Sequence, residues 1–512
     1  MRSRLLLFSL MTAAALGCGG TTGTESDAGQ DDAGLQDGGS SDAGHDAGLN
    51  DAGPNDAGLE DAGSDDAGVN DAGSHDAGSN DAGIHDAGSH DAGISDAGAN
   101  DAGANDAGAT DAGLGDAGVG DAGLNDAGPD AGCLTGPLLD SLGKSSLLIG
   151  ATMADATAAA APFDVRYIYL AGGIPDGAGP CQSCATSCAS HGNLCDNQHG
   201  CGWWGCYQWD QLTPGQYAGA FVTSSQMNAQ IPMFTYYELL QSSGANEGSA
   251  EVAAANNAAF MSRYFNDFRY LLQQIGSHPA FLHLEPDFWG YAEQVNANAN
   301  LVPAKVASAN STDCASEPES IAGMGRCMIA MVRKYAPHAK VGLHGSPWAT
   351  GVDVGSSSDP NLDVAGEARK LAAFLVAAGA GDADFIVVDA SDRDAGWYAS
   401  QGRNTFWDPT NQTLPDFHQA FQWTKALGAA AGKPVVYWQV PLGNAQQGNT
   451  NDHWQDNRVD YFFAHTAELA AANVVGIFFG AGASAQTTPE TDGNNLINQA
   501  KAYAAAPQTE CH

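Results

Sequence analysis

Between residues 147 and 479 the chain passes through eight short apolar segments separated by polar or helix-patterned sequence, and this alternation restricts the fold more than any other feature. The segments are 147–150, 165–170, 231–237, 281–284, 340–343, 385–388, 434–439 and 474–479. Short apolar runs of this kind read as strands buried on both faces. Between them lie stretches with helical periodicity. In 257–275, Phe260, Tyr264, Phe268, Leu271, Leu272 and Ile275 recur at helical spacing. Others are 319–335, 363–378, 416–431 and 460–472. Buried strands alternating with helices predict a parallel sheet covered by helices, and eight of them predict an α/β fold, a (β/α)8 barrel of the TIM type. The link between the first two strands is short for a crossover helix, which leaves an irregular or seven-stranded barrel open.

The barrel does not begin at the N-terminus. Arg2 and Arg4 precede an apolar run from Leu5 to Leu16, with Gly17 and Cys18 after it. This pattern is a secretory signal, too short to span a membrane. Ala15-Leu16-Gly17-Cys18 resembles the bacterial lipobox, so residues 1–17 are expected to be removed and Cys18 lipidated, although Ala15 stands where Leu is usual. An ordinary signal peptide cut nearby is the alternative. Residues 18–132 form a linker in which Asp-Ala-Gly recurs twenty-one times, with 26 carboxylates and no aromatic residue, Lys or Arg. Like charge without apolar surface predicts a disordered, extended spacer. A calcium-binding solenoid would need a recurring large apolar residue, and none recurs. The globular domain is expected over 133–512, lipid-anchored on the outer membrane or cell surface.

With the repeat and the leader set aside, the domain keeps 34 acids against 17 bases, a net charge of −17. That excludes nucleic acid and polyanions as favoured partners. Of the eleven cysteines, lipidation of Cys18 leaves ten, an even number suited to disulfides in an oxidising compartment. Cys133 and Cys511 open and close the domain and are expected to clasp its ends; Cys314 and Cys327 bracket a short loop. Cys181, Cys184, Cys188, Cys195, Cys201 and Cys206 crowd an insert, 181–206, between the second and third strands. Its Cys-x2-Cys-x3-Cys opening, with His191 and His199 nearby, also fits a zinc knuckle. Export favours three bridges there, so five disulfides, no structural metal and no cofactor are expected.

Barrels of this type carry their active sites at the C-terminal ends of the strands. Those ends read Tyr236-Tyr237-Glu238, then Glu285-Pro286-Asp287-Phe288-Trp289, then His344-Gly345-Ser346-Pro347-Trp348. Asp389 follows on the sixth strand, with Asp392, Asp394 and Trp397 beyond, and Trp438-Gln439 on the seventh. Glycoside cleavage needs an acid to protonate the leaving oxygen and a second carboxylate to activate water or attack carbon. Indole rings stack on sugar faces, and polar side chains bind the hydroxyls. Asp287, Glu285, Asp389 and Glu238 are therefore the expected catalytic set. Trp289, Trp348, Trp397, Trp438, His344, Gln439 and Tyr237 are the expected sugar contacts. Core packing for a Trp, and helix capping for Asp392 or Asp394, are the plainer explanations. No Gly-x-Ser-x-Gly elbow points to an esterase.

Leu284-Glu285-Pro286-Asp287 is similar to the Glu-Pro-Asp motif of family-6 glycoside hydrolases, the inverting cellulases. Cys314, Cys327, a helix and a strand ending in His344 with Trp348 beyond follow in that family's order, and Glu490-Thr491-Asp492-Gly493 resembles its last acidic segment. The resemblance implies that Asp287 is the general acid and that the anomeric carbon inverts. Two departures stand out. The family's Asp-rich loop after the third strand is replaced by 237–243, where only Glu238 is acidic, and its Asp on the next strand is replaced at or near His344. Either Asp389 or Glu285 completes a rebuilt pair, or cleavage is lost. Retaining barrels carry Glu at the seventh strand, and Gln439 stands there instead. The expected function is a surface-anchored, monomeric glycoside hydrolase acting on an extracellular polysaccharide. The alternative is a catalytically silent carbohydrate-binding or structural surface protein on the same barrel.

Overall fold

The computed structural model describes residues 133–171, 173–175, 203–206 and 214–511. The signal segment, Cys18 and the repeat lie outside them, as do Cys181, Cys184, Cys188, Cys195, Cys201, His191 and His199; at Cys206 only the backbone is described. Eight strands close a parallel barrel in sequence order: β1 Leu148–Ala151, β2 Val165–Leu170, β3 Ile231–Tyr236, β4 Ala280–Leu284, β5 Ala339–His344, β6 Phe385–Asp389, β7 Val435–Val440 and β8 Val474–Phe479. The short first link does not break the circle. A single helix, Asp155–Ala160, makes the crossover, and β1 needs only two registered pairs to β2, Gly150 to Val165 and Ala151 to Arg166. Four pairs to β8 hold its other edge. The seven-stranded alternative is thereby removed. The irregularity lies instead between β7 and β8, where the register shifts twice.

The expected helices form, with one correction. The segment 460–472 is two helices, Arg458–Ala464 and Thr466–Ala471, parted at His465, whose φ of −122° leaves the helical region and whose ring stacks on Tyr461. The helix Ala258–Ile275 starts on Asn257, whose side chain accepts from the amides of Ala259 and Phe260, and buries Phe260, Tyr264, Phe268, Leu271, Leu272 and Ile275 against the sheet. Cys133 pairs with Cys511 and Cys314 with Cys327, as the spacing predicts.

Alternation along the strands grades the barrel interior. Its lower layers are apolar, with Leu148, Val165, Met233, Phe281, Phe385, Val436 and Phe478, and the helix Gly136–Leu142 closes the bottom with Leu138 and Leu139. Gly342 has no side chain there because a Cβ would lie 2.4 Å from the Phe385 ring. Higher on β2 to β7 the inward residue becomes polar or aromatic: Tyr169, Thr235, His283, His344, Asp389 and Trp438. The polar layer is at the C-terminal mouth.

Candidate active site

The loop leaving β4 is the most constrained backbone at the mouth. Glu285 and Asp287 both have positive φ, 44° and 65°, with Pro286 between them. A non-glycine residue there costs on the order of 1–3 kcal/mol, so surrounding bonds must impose it. The Glu285 amide donates to the Tyr236 carbonyl at 2.8 Å, the Phe288 amide to Pro286 at 2.7 Å, and Trp289 Nε1 to the Leu284 carbonyl at 2.9 Å.

That loop gives its two carboxyls different fates. Glu285 is fully buried and accepts from the Tyr264 hydroxyl at 2.7 Å and from the amides of Glu238 and Leu239. Burial nevertheless raises its pKa to about 8. All its oxygens are committed inward, so it braces the β3 and β4 ends. Glu238 is equally buried, and its Oε2 accepts from Ser242. Asp287 alone keeps a partly open edge. Burial of its carboxyl raises its pKa to about 7; His344 opposes the rise, while Asp389, Glu247 and Asp392 add to it. Asp389, with 16% of its side chain exposed, is held by His344 Nε2 at 3.2 Å from Oδ1. The structure therefore joins Asp287, His344 and Asp389 in one group and turns Glu285 and Glu238 into its frame.

The tryptophans divide in the same way. Trp289 is fully buried with its Nε1 bonded to backbone, which removes it as a sugar platform. Trp438 is 3% exposed and lies across His283 and His344, with ring centroids at 4.6 and 5.7 Å, as the floor of the mouth. Trp348 is partly exposed and packs on Tyr291 at 4.7 Å; Trp397 is partly exposed under the Arg393 guanidinium at 4.3 Å. Gln439 sits at φ 56° in the β7 irregularity, its Oε1 accepting from the Tyr169 hydroxyl. A positive φ at a bulge re-aims a side chain, here toward the mouth.

Asp394 takes the N-cap position of the helix Ala395–Ser400, but its carboxyl bonds elsewhere, accepting from the amides of Gly443 at 2.8 Å and Thr487 at 2.7 Å. It ties together the loops after β6, β7 and β8. Asp392 accepts from Tyr398 at 2.5 Å. Asp492 bonds the amides of Asn494 and Leu496 at the start of the helix Asn495–Ala505, so the Glu490–Gly493 segment is a helix entry.

Sequence reasoning missed three participants. Glu247 accepts from the Tyr291 hydroxyl at 2.9 Å, and burial raises its pKa. Glu251 is buried, and its pKa is pushed well up by burial first and then by Glu285, Asp287 and Glu247. Both carboxyls, with Asp287, help push the Tyr237 hydroxyl's pKa well up, after burial. They come from a Gly- and Ala-rich stretch with no motif, so nothing in the local sequence marked them. His283 went unnoticed because it lies inside an apolar run. Among the described residues no cluster of His, Cys, Asp and Glu has a metal-holding arrangement.

No protein family and no curated sequence matches the chain. Solved structures similar to it include an endo-β-1,4-mannanase of glycoside hydrolase family 26 from Cellulomonas fimi, at 13% identity and a TM-score of 0.40, covering 74% of this chain and 76% of that one. A family-5 xyloglucan-specific β-1,4-glucanase from a ruminal metagenomic library is similar at 13% identity and a TM-score of 0.39, covering 70% and 89%. The endoglucanase Cel6 from Mycobacterium tuberculosis is similar at 15% identity and a TM-score of 0.26, covering 44% of this chain and 57% of that one. The chain thus spans less than two thirds of that endoglucanase.

Proposed function

We propose that this chain is a glycoside hydrolase that cleaves an extracellular polysaccharide with Asp287 as general acid and Asp389 as the carboxylate that activates water. The observation that carries the reading is the pairing of a partly open carboxyl held protonated up to about pH 7 with a second carboxyl, Asp389, anchored by His344. A general acid works best when its pKa lies near the working pH. Burial gives Asp287 that property, and the positive φ at its backbone places it. Trp348 and Trp397 supply partly exposed aromatic faces for sugar rings, and Tyr237 and Gln439 supply polar groups at the same mouth. Inversion at the anomeric carbon is the stereochemistry implied by the family-6 resemblance. The repeat is a spacer that carries the domain away from a membrane in which lipidated Cys18 is embedded.

The test is Asp287→Asn, assayed by reducing-sugar release on whichever of a panel of glucans, mannans, xylans and peptidoglycan the wild type cleaves. A loss of about a hundredfold or more in turnover with binding retained is expected for a missing general acid. Activity within a few fold of wild type would place the acid elsewhere. A silent carbohydrate-binding protein is the second reading, favoured by His344 standing where family-6 enzymes have Asp. Retention of polysaccharides without sugar release by the wild type would establish it.

A further inference from the structure

The polar layer at the top of the barrel contains one unbroken line of side chains. Thr235 Oγ1 lies 3.3 Å from His283 Nδ1, His283 Nε2 lies 3.0 Å from His344 Nδ1, and His344 Nε2 lies 3.2 Å from Asp389 Oδ1. The strands supply one member each, from β3 to β6. Thr235 is registered opposite His283; His344 stands two residues beyond Gly342, the partner of His283, and Asp389 two beyond Val387, the partner of His344. The line therefore climbs from the closed interior to the mouth. Thr235, His283 and His344 are fully buried, and the Trp438 ring covers both imidazoles.

We infer that this line locks the tautomer of His344, presenting an N–H to Asp389, and so decides whether Asp287 or Asp389 carries the proton. His283 and His344 are positioning residues in this scheme, which rests on reading Asp287 as acid and Asp389 as base. The direction follows from donor and acceptor chemistry. An ionised carboxylate only accepts, so His344 Nε2 carries the hydrogen. A neutral imidazole has one N–H, so His344 Nδ1 presents a lone pair to His283, and His283 Nε2 must carry its own hydrogen. His283 Nδ1 is then an acceptor, and the Thr235 hydroxyl donates to it. Every atom in the line is satisfied. Reversing the line with neutral rings would aim a lone pair at Asp389, to which only a protonated Asp389 could respond. Asp389 would then compete with Asp287 for the proton that the leaving group needs.

Burial holds His283 neutral, as the scheme requires, its pKa pushed well down by desolvation and then by His344. The titratable groups that act on the line electrostatically are Asp287 from the β4 end, and, through Asp389, Asp353 from the loop after β5 and Tyr437 on β7, whose hydroxyl bonds Thr424 outside the barrel. Tyr167 and Tyr169 on β2 pack on the Trp438 ring.

The experiment is nitrogen-detected imidazole NMR of the wild type, His283→Leu and His283→Gln, together with kcat and KM against pH. In the wild type both rings are expected to carry hydrogen on Nε2 near neutral pH. In His283→Leu the His344 Nδ1 loses its donor, so the single tautomer is lost. The acid limb of kcat moves up by about one pH unit or more, while KM stays within about twofold. The Gln amide still donates to His344 Nδ1, so His283→Gln is expected to restore both readings. A packing role would not be rescued in the pH profile in this way. If His283→Leu does not fold, Thr235→Val removes the last donor and shifts the limb less, in the same direction. Hydrogen on His344 Nδ1 in the wild type, a doubly protonated His344, or a variant spectrum identical to wild type overturns the lock. An active wild type whose acid limb ignores the loss of His283 also overturns it, and leaves the glycosidase reading standing. The expected spectra in a protein without glycosidase activity would sink that reading and leave the lock intact.

Discussion

Glu285 shows how far a buried environment departs from what a residue's identity promises. Three donors converge on its carboxyl, which favours the ionised form, yet desolvation outweighs them and raises its pKa from 4.5 to about 8. A raised carboxyl binds its proton more tightly in the folded chain than in the unfolded one. Its contribution to stability is therefore complete below about pH 4.5 and is lost as pH rises through about 8. Asp287 and Asp394, both raised to about 7, and Asp492, raised to about 6, carry the same sign. The melting temperature is expected to fall between pH 5 and 8, and Glu285→Gln, which keeps the shape and has no proton to lose, to fall less steeply over that window. Parallel slopes for the two proteins in differential scanning fluorimetry would mean that Glu285 does not hold its proton in the native state.

At the scale of elements, Asp267 joins pieces that are remote in sequence. It lies in the helix Ala258–Ile275 and accepts from Trp203 Nε1 at 2.6 Å, Trp204 Nε1 at 3.0 Å and the Tyr236 hydroxyl at 2.8 Å. One carboxyl thus fastens the 203–206 segment and β3 to the helix. Asp267→Ala leaves both buried indole N–H groups without a partner, each costing roughly 1–3 kcal/mol, and leaves the Tyr236 hydroxyl only the Tyr264 carbonyl at 3.4 Å. A loss of about 3 kcal/mol or more is expected in denaturant unfolding, with a red shift of tryptophan emission. An unchanged midpoint would show that the segment is held by other means. The strands themselves were legible in advance, six of the eight differing from expectation by a residue at one or both ends, because a run buried on both faces has few competing assignments. The two helices in 460–472 were not, since the helical spacing runs through His465, where the chain breaks and the ring stacks on Tyr461.

For the whole molecule, charge and covalent closure act together. The disulfide between Cys133 and Cys511 spans a sequence separation of 378 and joins the two ends of the domain. Everything before Cys133 can then act as a tether without unravelling the barrel. A like-charged tether extends, and one lipid chain alone binds membranes weakly, whereas a fully acylated N-terminal Cys anchors firmly. Cys18→Ser is expected to move the protein from the detergent phase to the medium. Equal partitioning of wild type and variant, or an unmodified N-terminus elsewhere by intact mass, would remove the anchor.

The order of buried strands, the closure of the domain ends and the acidity of the surface were all written in local sequence, because apolar periodicity, cysteine position and charge need no knowledge of neighbours. Which carboxyls stay open at the mouth was not. Glu285, Asp287, Glu238 and Asp389 are chemically alike in the sequence. Only the closed barrel turns Glu285 and Glu238 inward as braces and leaves Asp287 and Asp389 partly open at the mouth. Trp289 and Trp348 look interchangeable in the same way, until one donates to backbone in the core and the other stands at the mouth. The His283–His344 line joins residues 61 apart in the chain. It exists because neighbouring parallel strands bring inward-facing positions within hydrogen-bond distance, a relation that no linear pattern encodes.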